Sequence, residues 1–346
     1  MINNHLLDQL DQLPKIDLHL HLDGSVRPDT IREFASQLGK ELPVTEEEDL
    51  TPWMQIDDSC SSLKEYLSKF QFVLPFLQSA EALERVAYEV VEQASEQGCF
   101  YIEVRFAPLL HTVNGLTVDE AIQYTIEGLR RGEHQFGVKA RAIAICLRSD
   151  SIEQNMDVIE AANRYYGKGL VAVDLAGDEA SFPPELHRHL FEKAQNYSLP
   201  ITIHAGEAGG SQNVYESITG LGASRIGHGV RIIDDPVVME LVKMKRIPLE
   251  LCPISNIQTK AVTGWEVYPI TTFMEQGIIV TVNTDNLTVS GTNITLEYYM
   301  LMERCGLTIE QIGALIVNGA KASFLEEPEK QILIDEIRNA LSKARI

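Results

Sequence analysis

The chain has 346 residues, of which 45% are hydrophobic, and its 50 acidic against 29 basic side chains give a formal charge of -21. So acidic a chain argues against a nucleic-acid partner and against an anionic membrane surface, because both are held by clustered cations. It also disfavours highly anionic substrates; an uncharged small molecule fits better. The five cysteines (Cys60, Cys99, Cys146, Cys252 and Cys305) are odd in number and none is spaced C-x-x-C. Cys99, Cys146 and Cys252 lie in apolar surroundings, which favours buried thiols in a reducing cytosol over a disulfide framework. The opening segment MINNHLLDQLDQLPK has no basic stretch leading into an apolar run, so a cytoplasmic chain without a signal peptide is expected. No apolar segment approaches the ~20 residues needed to span a bilayer.

In chain order, strands are predicted at 15-22, 100-107, 139-147, 170-176, 200-206, 225-230, 247-252 and 278-284. Amphipathic stretches such as 81-98 and 118-137 lie between most of them, and both end in Gly, a common helix stop. Eight strands alternating with helices predict an α/β fold, a (β/α)8 TIM barrel. The main alternative, a doubly wound sheet, loses its usual support because no G-x-G-x-x-G follows the first strand. Residues 28-78 form an inserted helical segment after strand 1, and 306-346 a helical C-terminal tail. With no linker, repeat or low-complexity tract, a single domain over 1-346 is expected.

In a barrel, chemistry belongs at the C-terminal ends of the strands. The first strand carries His19 and His21 on one face, with Asp23 continuing that parity. The fifth ends in His204 and Glu207, the sixth holds His228, and the eighth ends in Asp285 and Asn286. A single strand histidine is more often a hydrogen-bonded core residue, and a lone aspartate after a strand is usually a cap or turn former. Four of the nine histidines at strand ends are harder to dismiss. Three imidazoles and a carboxylate suit Zn2+ with a position left for water, and the His19-His21 pair would bracket it. His5, His111, His134, His187 and His189 read as solvated or structural. The fourth strand ends in Asp174 with no lysine, and Lys168 precedes it at the wrong end, so one zinc per chain is expected rather than a lysine-bridged pair. The H-x-E plus P-C-x-x-C signature of cytidine-type deaminases is missing.

The segments KIDLHLHLDGS, YIEVRFAP, VDLAGDE, HAGE, IGHG, LELCPISN and NTDN, with NGAKASFL near the end, stand in one order from about residue 14 to 326. In this the chain resembles the adenosine deaminases of the amidohydrolase superfamily. The resemblance implies zinc ligation by His19, His21, His204 and Asp285, with His21 also beside the substrate. It implies Glu207 facing purine N1, His228 beside the water that attacks, the Gly177 N-H on N3, and Asp23 on the ribose 5'-hydroxyl. Leu63, Leu67 and Phe70 would form an apolar lid. One position departs from the pattern: Asn286 replaces the usual second Asp, whose partner is purine N7. An aspartate must be protonated to donate to N7, whereas an amide donates directly.

The expected reaction is zinc-dependent hydrolytic deamination of adenosine, and of 2'-deoxyadenosine, to inosine and ammonia in purine salvage. Glu207, with its pKa raised by burial, would protonate N1. Asp285 would accept the water's proton, and His228 would orient the oxygen and, as a cation, stabilise it. Arg105 is expected to pair with Glu103 or Asp17; Asp174 is open between structure and chemistry. Alternatives are deamination of free adenine, whose specialists usually carry Glu at the Asp23 position, or of a modified adenine nucleoside such as aminodeoxyfutalosine. From other classes come an inactive binding protein on the same barrel and an ester or lactone hydrolase.

Overall fold

The computed structural model describes residues 3-45, 47-57 and 59-344. Eight strands are present: β1 Lys15–His21, β2 Cys99–Phe106, β3 Lys139–Leu147, β4 Leu170–Ala176, β5 Thr202–Ala205, β6 Arg225–His228, β7 Leu249–Leu251 and β8 Val280–Val282. They pair in parallel, β1 through β4 and β5 through β8. Two seams join the halves. The Val173 N-H donates to Pro200 O at 3.0 Å between β4 and β5. Between β8 and β1, the His21 N-H donates to Asp285 O at 2.7 Å and the Asp285 N-H to His19 O at 2.8 Å. The barrel expected from the sequence is therefore observed.

The last four strands are shorter than expected, and at the C-terminal ends of β5, β6 and β8 the backbone turns out of the extended region where the site begins. Gly206 (φ 70°) follows β5, His228 (φ 61°) ends β6, and Asp285 (φ 62°) stands just past β8. A left-handed φ in a non-glycine residue is uncommon and strained; of the five such residues among those described, two, His228 and Asp285, belong to the site. The helix Val118–Phe136 shows how the surrounding layer is punctuated. Thr117 and Glu120 form a capping box at its start, and Gly137 in the left-handed region closes it. The insertion after β1 carries the helices Pro28–Leu38, Thr51–Met54, Leu63–Leu67 and Phe70–Val73. The C-terminal segment is less of an appendage than expected. Its helix Ile309–Ala322 packs on β8 and β1, covering the seam, and Glu327–Lys343 packs on that helix.

Inside the barrel the side chains are not only aliphatic. Glu103, Arg105, Asp174, Arg225 and Glu250 are all buried there and form one ladder. Arg225 bonds Glu103 and Glu250, each at 2.5 Å; Arg105 bonds Glu250 and Asp174, each at 2.8 Å. Arg105 was expected on Glu103 or Asp17, but Glu103 is taken by Arg225 and Asp17 by Thr284. Buried charges of opposite sign must be satisfied together, because removing one partner leaves the other uncompensated. Among the described residues no helix is long and apolar enough to cross a membrane.

Candidate active site

The top of the ladder meets the histidines. His21 Nε2 lies 3.3 Å from Asp285 Oδ1 and 3.2 Å from His204 Nε2, and His19 Nε2 lies 3.5 Å from Asp285 Oδ1. Ligand atoms of His19, His204, His228 and Asp285 all fall within 4.8 Å of one another. Five candidate donors thus converge, and hydrogen bonding separates them into two kinds. His19 Nδ1 is 2.8 Å from Glu250 Oε2, and His204 Nδ1 is 3.0 Å from Asp174 Oδ2. Ionised carboxylates only accept, so each ring carries its proton on Nδ1 and turns an Nε2 lone pair inward. His228 is arranged the other way. The Tyr268 hydroxyl donates to Asn256 Oδ1 at 3.0 Å, and the Asn256 amide donates to His228 Nδ1 at 2.9 Å. Its proton is left on Nε2, so His228 donates rather than ligates. His19, His21, His204 and Asp285 remain as metal-type donors, and their chemistry fits one divalent ion. His19 Nε2, buried without a hydrogen-bond partner, is the atom that most needs one.

The cationic role expected for His228 is corrected by the same geometry. Burial foremost, then the neighbouring His19, hold its pKa well below the ordinary value, so the ring is neutral. Asp285 is the reverse. Burial opposes its charge, but the histidines packed around it, His19 foremost, hold the carboxyl ionised, well below the usual range. Its Oδ2 accepts from Ser255 at 2.6 Å.

Glu207 follows β5 through the Gly206 turn, where a Cβ would approach Val214 to 2.8 Å. The turn is clamped by Glu179, whose carboxylate accepts the N-H groups of Gly206, Glu207, Ala208 and Gly209 at 2.7 to 3.0 Å. Glu207 Oε2 is 3.6 Å from His228 Nε2. Burial, then the charges of Asp285 and Glu179, push the Glu207 carboxyl well above its ordinary value. Asp23 is raised to about 6, chiefly by burial, and its Oδ1 is buried without a partner.

These groups open into a cavity of about 360 Å³, at the small end of ligand sites. Its wall includes His21, Asp23, Gly177, His204, Glu207, His228, Asp285 and Asn286, with Leu63, Leu67 and Phe70 from the insertion. All site residues expected from the sequence are therefore together, His19 lying just beneath the wall. Among the described residues no lysine or arginine lines the cavity, whereas Asp23, Asp178, Glu207 and Asp285 do.

Several contributors were missed. Asp174 and Glu250 orient His204 and His19, Asn256 and Tyr268 set the His228 tautomer, and Glu179 holds the Glu207 turn. Charged residues in the middle of strands, as in LEL at Glu250, were the available signal. Of the histidines read as solvated or structural, His111 and His187 are buried, and His111 Nδ1 lies 2.9 Å from Leu77 O.

The geometry defines a parallel barrel with a metal-type donor cluster at its C-terminal mouth. The adenosine deaminase family profile matches residues 14–340. An adenosine deaminase of Clostridium botulinum (strain Okra / Type B1) is 44% identical over 323 residues, covering 93% of this chain and 96% of the relative. The crystal structure of adenine deaminase from Arthrobacter aurescens superposes with a TM-score of 0.87 at 25% identity, covering 95% of this chain and 99% of that one. Arabidopsis ADAL complexed with IMP gives a TM-score of 0.86 at 25% identity, covering 97% and 99%. The chain belongs to the adenosine deaminase family.

Proposed function

We propose that the protein hydrolyses adenosine, and 2'-deoxyadenosine, to inosine and ammonia, with one zinc ion held by His19, His21, His204 and Asp285. The observation that carries this reading is Glu207: a carboxyl whose burial and negative neighbours push its pKa well above the ordinary value, facing a small cavity beside a metal-type donor cluster. Displacing an amine from a purine ring needs a proton on the ring as attack begins, and a neutral carboxyl supplies it. Zinc, when bound, would supply the nucleophile at neutral pH by acidifying water.

The remaining steps belong to the chain. Glu207 gives its proton to N1 as the ring loses aromaticity. The His228 Nε2-H donates to the attacking oxygen and fixes its approach. Asp285, ionised, receives the proton that this oxygen sheds and passes it to the amino group as the C6–N bond breaks and ammonia leaves; the oxygen's second proton restores neutral Glu207. Asp23 holds the ribose 5'-hydroxyl, the Gly177 N-H meets N3, and the Asn286 amide meets N7. Leu63, Leu67 and Phe70 cover the base and keep out water. Four acids and, among the described residues, no lysine or arginine in the wall favour a nucleoside over a nucleotide, since a phosphate would enter uncompensated. Support for a single domain over 1-346 comes from one apolar cluster that extends from Leu10 to Leu341; a cytoplasmic location accords with the buried free thiols.

The test is ammonia release from a panel of adenosine, 2'-deoxyadenosine, adenine and 5'-substituted adenosines. Adenosine and its 2'-deoxy analogue are expected to lead. Fastest release from adenine, or none from any member, would reject the assignment.

A further inference from the structure

Asn286 is buried at the end of β8, and both it and Tyr66 line the cavity. Its Nδ2 donates to the Tyr66 hydroxyl at 2.8 Å. Its Oδ1 has no hydrogen-bond partner and packs against Gly24, leaving no room there for a Cβ. Tyr66 comes from the helix Leu63–Leu67 of the insertion, far away in sequence, on a short helix capped by Ser62. Its phenol is buried, and its oxygen lies 2.6 Å from Ser290 Oγ. A phenol has one hydrogen to give. Accepting from the Asn286 amide, it shares its second hydrogen bond with Ser290, in which either oxygen can be the donor.

An amide nitrogen carries two hydrogens. Tyr66 takes one, and among the described residues the second has no partner. An asparagine free to rotate would offer the cavity a carbonyl as readily as an N-H. The Tyr66 bond removes that freedom.

We infer that Tyr66 is a positioning residue for the base: by holding one Asn286 hydrogen it commits the amide to donate its other hydrogen to an acceptor on the edge of the purine ring. The inference rests on the adenosine reading and deepens it, because the acceptor in reach is N7. It also explains how a neutral amide serves where an aspartate would need a proton. Selectivity for a ring nitrogen at that edge is then set jointly by two segments, β8 and the insertion.

The experiment compares kcat/KM for adenosine and 7-deazaadenosine, which lacks the acceptor, in the metal-loaded wild type, Tyr66→Phe, Asn286→Ala and the double variant. One neutral hydrogen bond implies that wild type prefers adenosine by about three- to tenfold. Tyr66→Phe should lose most of that preference, and the double variant should show the same ratio as Asn286→Ala. A lid loosened by the substitution would slow both nucleosides alike and leave the ratio where it was. An unchanged ratio in Tyr66→Phe, or losses that multiply in the double variant, would overturn the Tyr66 role alone. No ammonia from either nucleoside with wild-type protein would overturn the functional reading and this one together. Phe fills the same space, and a melting temperature near that of wild type checks that the fold is kept.

Discussion

Glu250 and Glu207 are the same side chain, both shut off from water, one 2.8 Å from His19 and the other 3.6 Å from His228, yet they are pushed in opposite directions. Burial would raise both. At Glu250 the charges of Arg105 and Arg225 outweigh it and keep the carboxyl well below its ordinary value. At Glu207 the nearest strong charges, Asp285 and Glu179, are also negative and add to burial. The barrel below the histidines is a lattice of matched ions; at Glu207 above them the negative neighbours outweigh the one positive one, Arg231. Depth alone does not decide protonation; the sign of the neighbours does. The lower acids fix ring orientation, and the upper one is left with a proton to give.

Breaking the lower half should cost most. Glu250→Ala removes the acceptor of His19 Nδ1 and strips Arg105 and Arg225 of a shared partner. Unpairing buried charges of this kind costs about 3–5 kcal/mol, to be seen in urea unfolding, with bound metal falling in elemental analysis. The sign of its pH dependence follows. A folded-state pKa below the unfolded value of about 4 means the stabilisation is present above that pH and is lost as pH falls.

Breaking the upper half should spare the fold. Glu207→Gln keeps size and neutrality but has no transferable proton, so turnover should drop by about 10²–10⁴-fold with metal content and melting temperature unchanged. Near-normal turnover would remove Glu207 from its role. The same residue gives the pH profile: kcat/KM should fall as pH rises through the raised Glu207 pKa, and a profile that rises through that range would contradict it. The smallest effect is expected at the cavity edge. Asp23→Ala should reduce kcat/KM for adenosine about tenfold more than for adenine, because only the nucleoside carries the 5'-hydroxyl; equal losses would reject that contact.

The asymmetry also governs what was legible in the sequence. Histidines in an otherwise apolar strand, HAGE, IGHG and NTDN announced themselves as a set, because each imidazole or acid alone has a common structural use but four such histidines gathered at strand ends do not. The eight strands were legible from their apolar runs, with ends misplaced where His228 and Asp285 adopt left-handed backbone. The ion ladder was not legible, since Arg105 has several acids within plausible reach and only the closed barrel selects Asp174 and Glu250. Nor was the His228 tautomer, which depends on Asn256 and Tyr268, or the meeting of Tyr66 with Asn286 across 220 positions. Pairings between distant segments are decided by register and packing, which residue type alone does not encode.

The most direct test is the protonation state of Glu207 in the metal-loaded protein at neutral pH, read by infrared difference spectroscopy between wild type and Glu207→Gln with isotope-labelled glutamate. Loss of a protonated-carboxyl C=O band in the variant is the predicted result. Loss of a carboxylate band instead would mean that the cavity holds a bare anion, and the proton assigned to the purine ring would have no source.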